Sequence, residues 1–174
     1  MFRIAPDGSL DWMRTLATGG GAFFAATTPD SRRVLVTNSA VNTISLVSLV
    51  SGSVSTVADP ADDPHGIVLD ATGGHAYVAN FAKGTGPGFI TTFVIDATGI
   101  HLTGRPVPSG GNGAEGIALS HDGKTLYNAN YNATGPGSVT SYPIAPDGTV
   151  GTGRPPVPTG GRQPDLGSIT VSGR

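Results

Sequence analysis

The stretch His65 to Asn80, HGIVLDATGGHAYVAN, is an apolar run, a polar turn rich in Gly and Asp, a second apolar run and a closing asparagine. The same plan returns upstream at Phe23 to Asn38, FFAATTPDSRRVLVTN, and downstream at Glu115 to Asn130, EGIALSHDGKTLYNAN. The three closing asparagines are 42 and then 50 positions apart. Spacings of roughly 40 to 50 residues are those of one four-stranded propeller blade.

Two further apolar runs follow each unit. They are TISLVSL and SVSTV after Asn38, FITTFVI and IHLTGRPVPSGG after Asn80, and SVTSYPI and TVGTGRPPVPTGG after Asn130. FRIAPDGSL near the start is close to YPIAPDGTV near the end, so the repeat extends to both flanks. With strands labelled A to D within a blade, the chain is expected to open on strands C and D of one blade and to run through three full blades. It then enters a strand A at Ser168 to Ser172, which makes fifteen strands. The boundaries fall at about 2–21 (partial), 22–64, 65–114, 115–163 and 164–174 (partial), within one all-β propeller domain. Pro6 to Gly8, Pro146 to Gly148 and Asp122-Gly123 supply the short polar and positive-φ residues of tight hairpins. Helix should be almost absent. Ile67, Leu69, Val78, Ile117, Leu119 and Leu126, recurring in step on A and B strands, should be buried between blades, as should Trp12 in the first strand D.

Composition agrees. Among 174 residues there are 27 glycines and 14 prolines, and only 13% are charged, which suits many short strands better than long helices. A formal net charge of −2 without a basic run gives no electrostatic footprint for nucleic acid or an anionic membrane. The absence of cysteine removes disulfide, thiolate-metal and thiol chemistry. No apolar run reaches the length of a membrane-spanning helix. Met1 to Leu10 lacks the apolar stretch of a signal peptide; a cytoplasmic location is expected if the chain is complete, and secretion if it is part of a longer protein.

The units ending LVTN, YVAN and YNAN resemble the YVTN repeat, and the whole chain resembles the lactonase-type seven-bladed propellers. That family includes 6-phosphogluconolactonases and fungal muconate cycloisomerases, and is similar to many bacterial surface and secreted propellers. The resemblance implies a site at one mouth of the central channel, made from a His and an Arg that open strands A and a Glu that follows a closing Asn. In this chain the strand-A openers are Phe23, His65, Glu115 and, by extrapolation, Gly167; the residues after the closing Asn are Ser39, Phe81 and Tyr131. His65 alone matches the implied set.

His65 and Glu115 are therefore the candidate catalytic pair, expected to converge on one solvent-filled pocket with Asn38, Asn80, Asn130 and Tyr131 as binding residues around it. An imidazole and a carboxylate there suit general base and acid roles, or a divalent ion shared with Asp62 and Asp63; no other cofactor is expected. The alternative is structural: His65 caps a turn, Glu115 is a solvated rim charge, and each Asn mimics a backbone turn in left-handed conformation. His75, His101 and His121 are expected in solvent, and Asp30, Asp70 and Asp122 in A–B hairpins. Gly111 to Gly116 fits G-x-G-x-x-G but precedes a strand, so no helix N-terminus is there to bind a pyrophosphate. The readings are a scaffold binding a protein or glycan at the mouth, a hydrolase acting on a sugar lactone, and a metal-dependent lyase or hydrolase. Open blade edges favour self-association.

Overall fold

A computed structural model describes residues 1–165 and 169–171. Strands β1 (Phe2–Ile4) and β2 (Leu10–Trp12) form a two-stranded sheet. The first full blade holds β3 (Ala22–Thr27), β4 (Arg33–Asn38), β5 (Thr43–Ser48) and β6 (Val54–Ala58), paired in sequence order. The second holds β7 (Pro64–Leu69), β8 (His75–Asn80), β9 (Pro87–Ile95) and β10 (Ile100–Asn112). The third holds β11 (Ala114–Leu119), β12 (Thr125–Asn130), β13 (Pro136–Pro143) and β14 (Val157–Arg162). All pairings are antiparallel. Among the described residues helix is limited to two three-residue 3₁₀ turns, Ser39–Val41 and Ala82–Gly84, and no helix is long and apolar enough to cross a membrane.

Register makes the three asparagines equivalent. Asn38 faces Ala22, Asn80 faces Pro64 and Asn130 faces Ala114. In all three blades the A–B ladder is interrupted immediately after that first pair and resumes three positions on, at Ala25, Ile67 and Ile117. The interruption contains Phe23, His65 and Glu115, the second residue of each strand A. An irregularity of this kind bends a strand and re-aims its side chains.

The core lies between blades, because a strand's side chains alternate between its two faces. On β8, Ala76 and Val78 turn toward the first blade and join Leu35, Ile44 and Leu46 with Ile67 and Phe93. Tyr77 and Ala79 turn the other way and join Leu126, Tyr142 and Val150 of the third blade. Ile67, Val78 and Leu126 are buried as expected. Leu69, Ile117 and Leu119 are only half-buried, since they line an open groove with Ile169 and Val171.

Two expectations about the ends need correcting. Trp12 does not pack between blades: it is 67% exposed, as are Phe2, Ile4 and Leu10 to similar degrees, because among the described residues no other strand packs on that face of β1 and β2. The pair is tethered instead through the Met1 amino group on the Arg14 carbonyl and the Arg14 guanidinium on the Leu49 carbonyl. The fifteenth strand and Gly167 fall partly outside the described residues; Ile169 to Val171, which are described, are not in a strand. Among the described residues β1 pairs with β2 only, so no strand joins the two ends of the chain.

Candidate functional site

The A strands approach so closely that side chains in the interrupted stretches meet. Gly66, next to His65, lies against the Glu115 carbonyl with no room for a Cβ. His65 Nδ1 is 2.9 Å from Glu115 Oε1, and His65 Nε2 is 3.2 Å from Asp63 Oδ1. Thr37 Oγ1 donates to the His65 carbonyl at 2.8 Å, fixing the backbone beneath the ring. Phe23 stacks on one face of the imidazole, with centroids 3.9 Å apart, and Phe81 on the other at 4.4 Å. Tyr131 meets Phe81 edge-on at 5.2 Å.

His65 and Glu115 thus converge, as adjacent openers should, and Tyr131 lies in the same cluster. Among the described residues the expected solvent-filled pocket is not found between them: the two are 7% and 2% exposed, and rings cover the imidazole. Neither is Glu115 a solvated rim charge. Burial raises its proton affinity, the His65 contact opposes this, and the nearby Asp165 carboxylate raises it further. A neutral imidazole has one N–H to offer, so two carboxylates facing both ring nitrogens require two protons among the three groups.

Each recurring Asn is buried, and its role differs from the expected turn mimic. Asn38 Nδ2 donates to Ser45 Oγ at 2.9 Å, Asn80 Nδ2 to Thr91 Oγ1 at 3.0 Å and Asn130 Nδ2 to Thr140 Oγ1 at 3.0 Å. The side chain ties strand B to strand C. Asn38 has φ −115°, and the left-handed residues come later, at Asn42, Ala82, Lys83 and Asn132. Glycines ahead of strand A close over two of these amides: Gly19 abuts Asn38, and Gly111, at the end of β10, abuts Asn130.

In the second blade Asp59-Pro60-Ala61 replaces the glycines, and Asp59 was not among the residues singled out from sequence. It is 4% exposed, accepts from the Ala61 N–H and from Thr91 Oγ1, and burial pushes its carboxyl up to about 6. The signal was its place: Thr18 and Ser109 stand there in neighbouring repeats. Asp165 was also passed over. Gly137 packs on Pro164 as Gly88 packs on Ala114, so Asp165, not Gly167, follows in the place of Glu115. The two alignments differ by two positions.

Asp62 accepts from Asn42 Nδ2, and the carboxylate at His65 Nε2 is that of Asp63. Among the described residues no group of three or more His, Cys, Asp or Glu side chains has metal-holding geometry. His101 and His121 are exposed, but His75 is half-buried between Asp70, at 2.8 Å, and Gly148. Asp30, Asp70 and Asp122 accept backbone N–H groups within their A–B hairpins.

Repeated four-stranded sheets whose A strands pack side by side, with their openers grouped at one end, make a β-propeller. The chain belongs to the lactonase seven-bladed β-propeller family, which residues 36–167 match. No curated protein matches it. Among solved structures, a candidate 6-phosphogluconolactonase from Bacteroides uniformis is 21% identical with a TM-score of 0.77, over 94% of this chain and 52% of its own. One from Bacteroides fragilis is 19% identical with a TM-score of 0.71 over the same shares. The periplasmic gluconolactonase PpgL of Pseudomonas aeruginosa is 21% identical with a TM-score of 0.55, over 76% of this chain and 37% of its own. The chain spans about half the length of the two Bacteroides structures.

Proposed function

We propose that this chain is a binding segment of a lactonase-family propeller, and that His65 and Glu115 clamp neighbouring blades at the mouth instead of turning over a lactone. The observation that carries this reading is the full engagement of the imidazole: both nitrogens meet carboxylates and both faces are covered by rings. A general base needs a nitrogen within reach of the proton it takes. What remains accessible beside the clamp is aromatic, Phe23 at 45% exposure and the half-buried Tyr131, which suits the C–H face of a sugar ring.

Glucono-1,5-lactone tests the reading. Acid release followed at constant pH should show no rate above buffer, while saturation-transfer NMR should detect the neutral ring of methyl β-glucopyranoside bound to the wild type and lost in Phe23→Ala. Hydrolysis that disappears in His65→Ala would overturn it, as would glucoside binding indifferent to Phe23.

Family membership and one geometric detail favour a second reading, hydrolysis. The Asp63 contact is the longer of the two, and Asp63 is a partly exposed loop residue with φ 64°. Displacement of that loop frees Nε2 to take a proton from water, which attacks the lactone carbonyl; the ring C–O bond breaks and its oxygen takes a proton. No Arg at a strand-A opener and no Glu after a closing Asn accompanies His65 in this chain.

A further inference from the structure

We propose a second binding site on the outer flank of the propeller, between the second and third full blades, for a small organic dianion with an apolar frame. The two blades carry the same tetrapeptide, Thr-Gly-Arg-Pro, at Thr103 to Pro106 and at Thr152 to Pro155. The repeat brings Arg105 and Arg154 to one groove of about 540 Å³, whose walls include Val107, Pro108, Val150 and Pro156. That volume is typical of small-molecule sites.

The backbone takes both arginines out of the ladder, by different routes. The β9–β10 ladder lapses between Thr103 and Val107, with Gly104 left-handed at φ 69°, so Arg105 leaves the sheet. Arg154 lies in the irregular stretch before β14, held where its N–H donates to the Ser141 carbonyl at 2.9 Å. The walls are fixed before any ligand arrives. The buried Tyr142 donates its hydroxyl to the Pro108 carbonyl at 3.2 Å across the blades, and Gly153 lies flat on the Tyr142 ring. Gly110 closes against Pro156 and Thr140.

Charge selects the ligand. Among the described residues neither guanidinium has an ion-pair or side-chain hydrogen-bond partner, in a chain where acidic residues outnumber basic ones 12 to 10. A guanidinium fork binds an oxyanion through two parallel N–H bonds. Two forks flanking proline and valine surface match two oxyanion groups separated by an apolar frame. The site is distinct from the mouth: it lies on the outermost strands, whereas His65 and Glu115 lie on the innermost.

Isophthalate, a rigid dicarboxylate, is the probe. Titration followed by NMR or calorimetry should saturate at one site and weaken with added salt. Benzoate should bind about tenfold more weakly, and neutral isophthalamide should not bind. Arg105→Gln and Arg154→Gln, both exposed positions, should leave thermal unfolding unchanged while weakening isophthalate about fivefold each and more than about twentyfold together. Phe23→Ala should leave this binding intact, which separates the site from the mouth. Isophthalate binding unchanged in the double variant, or absent in the wild type, would overturn the proposal; inorganic phosphate binding as tightly as isophthalate would overturn the apolar frame.

Discussion

Removing the charge of Asp59 should stabilise the protein at neutral pH and leave it unchanged in acid. The carboxyl is 4% exposed with no cation beside it; its partners are the Ala61 N–H, the Thr91 hydroxyl and the Asn80 amide. Burial outweighs these bonds and lifts its proton affinity from the ordinary 3.8 to about 6. The folded state therefore binds this proton more tightly than the unfolded chain. Its contribution favours folding fully below about pH 4, fades as pH rises and is gone above about 6. Each tenfold in proton affinity is about 1.4 kcal/mol, so ionised Asp59 costs up to about 3 kcal/mol at pH 7.5. In Asp59→Asn the amide oxygen still accepts from Ala61 and the amide nitrogen can donate to Thr91. Urea unfolding at pH 4 and 7.5 should show the variant equal to wild type in acid and about 2 to 3 kcal/mol more stable at pH 7.5. Asp30, Asp96 and Asp122, held low by hydrogen bonds within their turns, weaken both proteins in acid and cancel in the comparison. A variant that is less stable at pH 7.5, or whose difference from wild type does not change with pH, refutes the reasoning.

His65→Ala leaves Glu115 buried without its partner and empties the space between two phenyl rings; a loss of about 3 kcal/mol in urea unfolding is expected. Gly66→Ala forces a methyl against the Glu115 carbonyl and should cost about 2 kcal/mol or more, measured as a lowered melting temperature, whereas Gly123→Ala, which meets no atom within 4 Å but has φ 69°, should cost about 1 kcal/mol through backbone strain alone. Asn80→Ala removes the tie to Thr91 and should cost about 2 kcal/mol, with exchange of the neighbouring β8–β9 amides accelerated.

Periodicity made the architecture legible. The positions of Asn38, Asn80 and Asn130 define blades whose registers coincide, and the alternation along β8 follows from a strand covered on both faces. Periodicity is blind to what lies beside an element, so it could not show that Trp12 stands on an uncovered pair of strands. The site divides in the same way. Adjacent openers had to meet, which made the His65–Glu115 contact foreseeable. That they meet in a closed, ring-filled space depends on Phe23 in strand β3 and Phe81 just after β8, apolar residues that nothing in the sequence sets apart. Asp59 was hidden because a carboxylate before a proline in a loop reads as a turn residue until packing buries it. The asparagines read as turn formers for the same reason, whereas their amides point across to the hydroxyls of strand C.

The interrupted ladder at the start of each strand A explains how one repeat yields different mouths. Because the break falls at the same register in three blades, the fold fixes where the opener side chain goes and leaves its identity free. Blades must approach closely there, as the crowding at Gly66 shows, so each opener touches the next and its properties depend on its neighbours. Along this chain the order is Phe23, His65, Glu115 and Asp165. The phenyl ring covers the imidazole, the imidazole bonds the glutamate, and the aspartate raises that glutamate's proton affinity. The row therefore passes from apolar to acidic across four successive positions. On the proposed binding reading, a ligand lying over the mouth meets the Phe23 ring at one side and the exposed Asp165 at the other. That polarity favours a hydroxylated ring, its C–H face on Phe23 and its hydroxyls donating toward Asp165, over an anion, which the acidic side would repel.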